Sequence, residues 1–154
     1  MLNEKLHQEL QAKCIVIINK NSDVRRKMKE IVELLHKEVP HYNWVGFYLG
    51  NNEKQELSLG PFAGAATDHT RIPYGKGICG QVAVSHTTMN IENVMAEENY
   101  LACSTETKSE LVVPIMKNGV FVGQLDIDSH SHDAFNVRDE RLIQGICRRL
   151  AECF

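Results

Sequence analysis

Residues 111–128 read Leu-Val-Val-Pro-Ile-Met-Lys-Asn-Gly-Val-Phe-Val-Gly-Gln-Leu-Asp-Ile-Asp. Apolar residues fill both halves of this stretch, and the Asn118–Gly119 pair between them is typical of a tight hairpin turn. We therefore predict two antiparallel strands, 111–116 and 120–128, that close a sheet.

The chain on either side of this hairpin supplies the other strands and the helices. Strands are predicted at 43–49, 56–59 and 88–91, and a short helix at 78–84. Apolar residues at helical spacing predict helices at both ends of the chain, the last one beginning at an Asn136 cap. We expect a single α+β domain over 1–154: N-terminal helices in 1–40, sheet and pocket loops in 42–135, and a C-terminal helix in 136–154. The amphipathic terminal helices also suggest a homodimer.

Alternation along the strands sorts the side chains onto two faces of the mostly antiparallel sheet. The face predicted to pack against the terminal helices carries Val45, Phe47, Leu49, Leu111, Val113, Ile115, Phe121, Leu125 and Ile127. The opposite face carries Trp44, Tyr48, Glu110, Asp126 and Asp128, under a loop region that starts at Gly60. Aromatic walls and acids beneath a loop predict a small enclosed pocket. The alternative is that the acids mark the solvent face of a half-exposed sheet.

Composition places the chain among soluble globular proteins. It has 154 residues, a net charge of −3, and no apolar run that approaches the roughly 18 residues of a membrane helix. The first residues lack the apolar core of a signal peptide, so we expect a cytoplasmic protein that binds neither membrane nor nucleic acid. Five cysteines without the spacing of a disulfide scaffold are expected to be reduced. Cys14, Cys147 and Cys153 fall on helical stretches and are predicted to be buried.

Cys103 is a candidate site residue, because it lies in a predicted loop and three acids follow it. Glu110 comes seven residues later, and Asp126 and Asp128 stand two apart on the last strand. Carboxylates brought together raise one another's pKa, which leaves a proton available on a carboxylic acid at neutral pH. The sequence therefore predicts a thiol and three carboxyls in one pocket, although an inert structural role for Cys103 stays open.

Several motifs, taken in order and at their spacings, resemble the free methionine-(R)-sulfoxide reductases, which are single GAF domains. The resemblance covers about residues 42–153. The matching motifs are Trp44–Tyr48, Leu59–Phe62, Arg71–Gly80, Ala102–Cys103, Lys108–Pro114 and Leu125–Ser129.

This resemblance implies thiol-dependent reduction of free L-methionine-(R)-sulfoxide, with Cys103 at the position of the attacking cysteine. Glu110, Asp126 and Asp128 match the family's acidic cluster, which would hold the sulfoxide oxygen, supply a proton and receive the substrate's ammonium group. Trp44 and Tyr48 would pack on the methyl sulfide end. No metal or organic cofactor is implied, and the oxidised cysteine would be recycled by thioredoxin or a similar thiol reductant.

The chain departs from the family pattern close to the chemistry. Its members usually carry a resolving cysteine ten residues before the cysteine of the Gly–Ile–Cys–Gly motif, and His69 stands at that position here. Cys79 matches the middle cysteine of the family and is the candidate resolving thiol, unless an external thiol reduces Cys103 directly. Asn99–Tyr100–Leu101 also differs from the Gly–His–Ile run that the family tends to have before its attacking cysteine.

Other functions fit parts of the same sequence. A non-enzymatic GAF module would bind a small ligand in the predicted pocket, and a thiol redox sensor would form a disulfide between Cys103 and Cys79 without turnover. The glycines of 75–80 fit a dinucleotide pattern, but no βαβ unit surrounds them, and a tight strand-to-helix turn is the favoured interpretation. His130 and His132 invite a metal-site interpretation, against which a solvated loop is favoured.

Overall fold

Four helices and a six-stranded sheet make up the part of the chain that the structure, a computed structural model, describes: residues 1–101 and 104–154. The helices are α1 Glu4–Ile18, α2 Val24–Glu38, α3 Gly77–Ser85 and α4 Val137–Ala151, with a 3₁₀ turn at Val94–Ala96. The strands are β1 Trp44–Asn51, β2 Glu56–Ala63, β3 Arg71–Pro73, β4 Met89–Ile91, β5 Ser109–Lys117 and β6 Val120–Ser129. The α+β class is therefore confirmed. None of the helices in the described residues is long and apolar enough to cross a membrane.

The predicted hairpin lies at the centre of the sheet. The strand order is β3-β2-β1-β6-β5-β4, and every neighbouring pair is antiparallel. Asn118 and Gly119 have positive φ angles of 50° and 78°, as a two-residue turn of this kind requires. Since β6 pairs with β1 on one side and with β5 on the other, its residues lie at the middle of both sheet faces.

The terminal helices begin at side-chain caps. Asp23 accepts a hydrogen bond from the Arg26 amide at the start of α2, and Asn136 forms a capping box with Asp139 at the start of α4. Both caps satisfy backbone N–H groups that a first helical turn leaves unpaired.

The main apolar core lies between the sheet and the terminal helices. From the sheet it takes Val45, Phe47, Leu111, Val113, Ile115, Leu125 and Ile127, as the alternation predicts. From the helices it takes side chains such as Leu10, Ile31, Leu35, Ile143 and Leu150. Cys14 and Cys147 are buried in this core as predicted, whereas Cys153 lies beyond the end of α4 and is only half-buried.

Phe121 was predicted for this core and instead packs on the opposite face of the sheet. Ile115 pairs with Gly123, and the next residue, Met116, pairs with Phe121, so the β5–β6 register shifts at this point. Such an irregularity breaks the alternation, and Phe121 joins the second core with Tyr74 and Tyr48.

The second strand is also longer than predicted. It continues to Ala63, past the Gly60 at which a loop was expected to start. Proline lacks an N–H group for the ladder, and Pro61 is tolerated because the β1–β2 register shifts between Gly46 and Tyr48. A second proline, Pro73, ends the short edge strand β3.

Candidate active site

Three neighbouring strands bring the predicted acids together on the face away from the terminal helices. Asp128 of β6 lies opposite Trp44 of β1 and opposite Glu110 of β5, and these residues form one row across the sheet. Asp126 lies two residues before Asp128 on the same face of β6, opposite Gly46. Side chains directly opposite one another in antiparallel strands are about 5 Å apart at Cβ, so the sheet register itself assembles the acids.

Gly46 gives the Trp44 ring its place beside the acids. A Cβ atom at this position would lie 2.2 Å and 2.5 Å from two carbons of the Trp44 ring. Only glycine therefore lets the indole lie along β1. The indole N–H donates to the Ala65 carbonyl at 3.0 Å, and the Tyr48 hydroxyl donates to the His69 carbonyl at 3.0 Å.

Helix α3 covers the acids and places Cys79 on them. The Cys79 Sγ lies 3.3 Å from Asp126 Oδ2 and 3.8 Å from Glu110 Oε1, close enough for the thiol to donate a hydrogen bond. Cys79 and the two acids are all buried. The structure therefore brings the candidate resolving cysteine directly onto the acidic cluster.

The glycine-rich segment is the strand-to-helix turn that leads into α3, as predicted. Gly75 and Gly77 adopt positive φ angles of 90° and 67°, which side chains rarely allow. The Asn99 side chain donates to the Gly75 carbonyl at 2.7 Å and accepts from the Gly77 amide at 2.9 Å. Gln81 donates to the Asn99 carbonyl at 3.2 Å. This clamp fixes the segment ending at Leu101 against the start of α3.

Burial sets the electrostatics of the cluster. Glu110, Asp126 and Asp128 are 4%, 0% and 2% exposed, so they do not mark a solvent face. Burial, and then the charges of Asp126 and Asp128, raise the pKa of Glu110 well above its ordinary value. Burial raises the pKa of Asp126, and burial followed by the Asp126 charge raises that of Asp128 well above its usual range. The cluster can therefore hold at least one proton where exposed carboxyls are ionised.

The acids also have spare hydrogen-bonding capacity. Within the part of the chain that the structure describes, no Lys, Arg or His forms an ion pair with any of the three. Side-chain hydrogen bonds join Asp126 to Glu110 and to Asp128 when a carboxyl carries a proton, and Asp126 Oδ1 and Asp128 Oδ1 are buried there without an N–H, hydroxyl or thiol donor. Buried polar atoms in this state are costly, so a bound group with donors or positive charge would stabilise the site.

A cavity of about 420 Å³ opens at one end of the cluster. Its lining includes Trp44, Asp128, Ser104, Thr107 and His130. A larger surface cleft of about 800 Å³ lies between α2 and β2, but charged residues of α2 line it and none of the three buried acids does. We therefore take the smaller cavity as the approach to the acids.

The predicted site residues divide into those that the structure brings together and one that it does not describe. Glu110, Asp126, Asp128 and Cys79 form one cluster, with Trp44 and Tyr48 beside it. Cys103 lies outside the described residues.

Sequence reasoning missed Gln124, which is fully buried on the same strand face as the acids and opposite Tyr48. Its position two residues before Asp126 was the signal that could have found it.

Comparison with known proteins finds relatives of this chain in both sequence and structure. The family model described as GAF domain matches residues 23–154. Protein YtsP of Bacillus subtilis is 38% identical over 117 residues, covering 76% of this chain and 71% of that protein. The free methionine-R-sulfoxide reductase of Escherichia coli is 35% identical over 117 residues, 76% of this chain and 69% of that protein. The X-ray structure of the free methionine-R-sulfoxide reductase from Neisseria meningitidis in complex with its substrate superposes with a TM-score of 0.92 at 30% identity, covering 100% of this chain and 92% of that one.

Proposed function

This chain belongs to the GAF domain family, and from that premise we propose that it reduces free L-methionine-(R)-sulfoxide to methionine with Cys103 as the nucleophile. Relatives from Escherichia coli and Neisseria meningitidis that bear the name of this activity align with most of the chain. One observation carries the proposal: three carboxyls with raised pKa values are buried together on the pocket face of the sheet.

The acids do two different tasks in the proposed reaction. One of them, protonated because of its raised pKa, donates its proton to the sulfoxide oxygen as the S–O bond breaks. An ionised neighbour accepts hydrogen bonds from the substrate's ammonium group. The Oδ1 atoms of Asp126 and Asp128 suit this second task, since no N–H, hydroxyl or thiol donor among the described residues reaches them.

The aromatic residues hold the apolar end of the substrate. The Trp44 and Tyr48 rings lie 6.3 Å apart between centroids and are tilted by 31°, and the hydroxyl and indole N–H are both donated to backbone carbonyls. The faces that remain are apolar. They would pack on the methyl sulfide group while the acids hold the polar end.

In the proposed reaction Cys103 is oxidised by the sulfoxide and is then reduced again by other thiols. The Cys103 thiolate attacks the sulfoxide sulfur, and the oxygen passes to the cysteine. Methionine leaves the site, and Cys103 remains as a sulfenic acid. A second thiol condenses with the sulfenic acid, which releases water and forms a disulfide. Cys79 or an external thiol supplies that sulfur, and thioredoxin or another thiol reductant restores both thiols by disulfide exchange.

The direct test measures methionine formed from the free (R)-sulfoxide, and separately from the (S) form, under excess dithiothreitol. We expect turnover of the (R) form alone, its loss in Cys103→Ser, and a decrease of about 100-fold in Glu110→Gln, which removes one proton donor. Cys153→Ser changes a half-buried thiol beyond the end of α4 and serves as the matched control with unchanged turnover.

Folded wild-type protein without turnover under these conditions would overturn the reductase proposal. A second contradiction would be equal turnover by wild type and Cys103→Ser. Isothermal titration with the same sulfoxide would then show whether the chain is a binding module, and a Cys103–Cys79 disulfide formed by peroxide without turnover would identify a redox sensor.

A further inference from the structure

Cys79, Glu110 and Asp126 have the spacing of metal ligands. One ligand atom from each, the Cys79 sulfur and one oxygen of each carboxyl, lies within 4.8 Å of the others, and all three residues are buried. Zinc bonds of about 2.3 Å to sulfur and about 2.1 Å to oxygen put tetrahedral S and O ligands about 3.6 Å apart. The distances from Cys79 Sγ, 3.3 Å to Asp126 and 3.8 Å to Glu110, lie on either side of this value.

A hydrogen bond from the Cys79 thiol explains only one of its two short distances to carboxylate oxygens. Cys79 carries one proton and lies near two carboxylate oxygens, so it can donate a good hydrogen bond to only one of them at a time. A cation between the three ligand atoms would be bound by all of them at once.

A second, independent observation points to a missing positive charge. Among the described residues, Asp126 Oδ1 and Asp128 Oδ1 are buried without an N–H, hydroxyl or thiol donor, and no cationic side chain forms an ion pair with the cluster. Three buried carboxyls that have no cationic partner among the described residues destabilise the fold when they ionise, and a divalent cation offsets that cost.

From these observations we infer that Cys79, Glu110 and Asp126 bind one Zn²⁺ ion when the site holds no amino-acid ligand. One thiolate and two carboxylates are a three-ligand set for zinc with a fourth position open. Mg²⁺ and Ca²⁺, which require six or more oxygen ligands, do not fit this set. On binding, Cys79 loses its proton to the solvent and becomes a thiolate.

The metal and an amino acid compete for the same carboxylates. The ammonium group assigned above to Asp126 and Asp128 would put a second positive charge on the Asp126 carboxylate beside the zinc ion, so zinc would inhibit the proposed turnover and methionine sulfoxide would weaken zinc binding. The zinc site itself does not rest on the reductase proposal, and only this competition does.

Metal binding is tested on the reduced, full-length protein without any turnover assay. Co²⁺ is the first probe, because tetrahedral cobalt with a thiolate ligand gives visible absorption and a thiolate-to-cobalt charge-transfer band. We expect one Co²⁺ per chain with both features, displacement by one equivalent of Zn²⁺, and no effect of Mg²⁺. Cys79→Ser should abolish the charge-transfer band, and Glu110→Gln should weaken Zn²⁺ binding by about 100-fold in competition with a chromophoric chelator.

Two variants serve as controls. Cys153→Ser removes a half-buried thiol, and Glu106→Gln removes an exposed acid of the cavity rim, and both should bind as wild type does. Circular dichroism confirms folding of each variant, and Glu110→Gln decides the question if Cys79→Ser does not fold. Absence of the cobalt bands in folded wild type, or bands that survive Cys79→Ser or disappear in Cys153→Ser, would overturn the inference whatever the activity assay gives.

Discussion

On the helix side of the sheet, Leu125 and Ile127 are fully buried among apolar side chains of the terminal helices; on the other side, Asp126 and Asp128 of the same strand are buried almost as completely. Burial stabilises the first pair, because apolar surface leaves water. It destabilises the second pair, because a buried carboxyl loses its hydration and here gains no cationic partner among the described residues. One strand therefore carries stabilising residues on one face and, on the other, the residues proposed for binding and chemistry.

Substitutions at neighbouring positions of β6 should have the most different effects on stability and on activity. Ile127→Ala should lower the free energy of unfolding by about 2–5 kcal/mol, because it leaves a cavity in the helix-side core. Asp126→Asn should leave stability equal or higher, since it removes a buried ionisable group, and should lower turnover of the (R)-sulfoxide by about 100-fold or more. Denaturant unfolding and methionine formation measure the two quantities on the same samples.

The comparison would fail if Ile127→Ala lost activity beyond its loss of folded protein, or if Asp126→Asn lost several kcal/mol of stability. Either result would mean that the two faces are coupled through the strand. Val16→Ala, at an exposed position of α1, should change neither quantity.

Strand alternation was enough to predict which side chains of the central strands share a face. It predicted the helix-side core and the row of acids, because period-two alternation holds wherever the ladder is regular. It was wrong at Phe121, where the β5–β6 register shifts. A register shift depends on how two strands pair, and that is not visible in either strand alone.

The contacts of Cys79 with the acids could not be predicted from the sequence, because they too depend on how distant segments pair. The glycines before α3 predicted a tight turn, but the start of α3 is also held by hydrogen bonds of the Asn99 side chain, 22 residues after Gly77 in the chain. Long-range hydrogen bonds of this kind have no local sequence signature. The sequence predicted Cys79 from the resemblance alone, and the distances to Asp126 and Glu110 come from the structure.

The pH dependence of the free energy of unfolding should show how much the buried, ionised acids destabilise the fold. A carboxyl with a raised pKa holds its proton more tightly in the folded chain than in the unfolded chain, so the folded state binds more protons between the two pKa values. The free energy of unfolding should therefore fall as pH rises above about 4, by up to about 1.4 kcal/mol per pH unit for each group that titrates. Glu110→Gln should reduce this slope.

Denaturant titrations between about pH 4 and about pH 8 measure the slope. The exposed acid Glu106 provides the control, and Glu106→Gln should keep the wild-type slope. A slope unchanged by Glu110→Gln would contradict the assignment of the proton to the cluster.

Substitution of Gln124 tests whether the ligand-binding surface extends beyond the three acids along β6. It lies on β6 two residues before Asp126, is fully buried, and has neither its amide nitrogen nor its amide oxygen hydrogen-bonded within the described residues. If nothing binds there, Gln124→Met keeps the volume, removes the unpaired amide and should stabilise the protein by about 1 kcal/mol, seen as a higher midpoint in thermal unfolding. Gln11→Met, on the exposed face of α1, should leave the midpoint nearly unchanged. A lower midpoint for Gln124→Met, or a raised KM for the sulfoxide, would instead mean that the amide holds a water molecule or part of the substrate, and that the binding site extends from the acids to Tyr48.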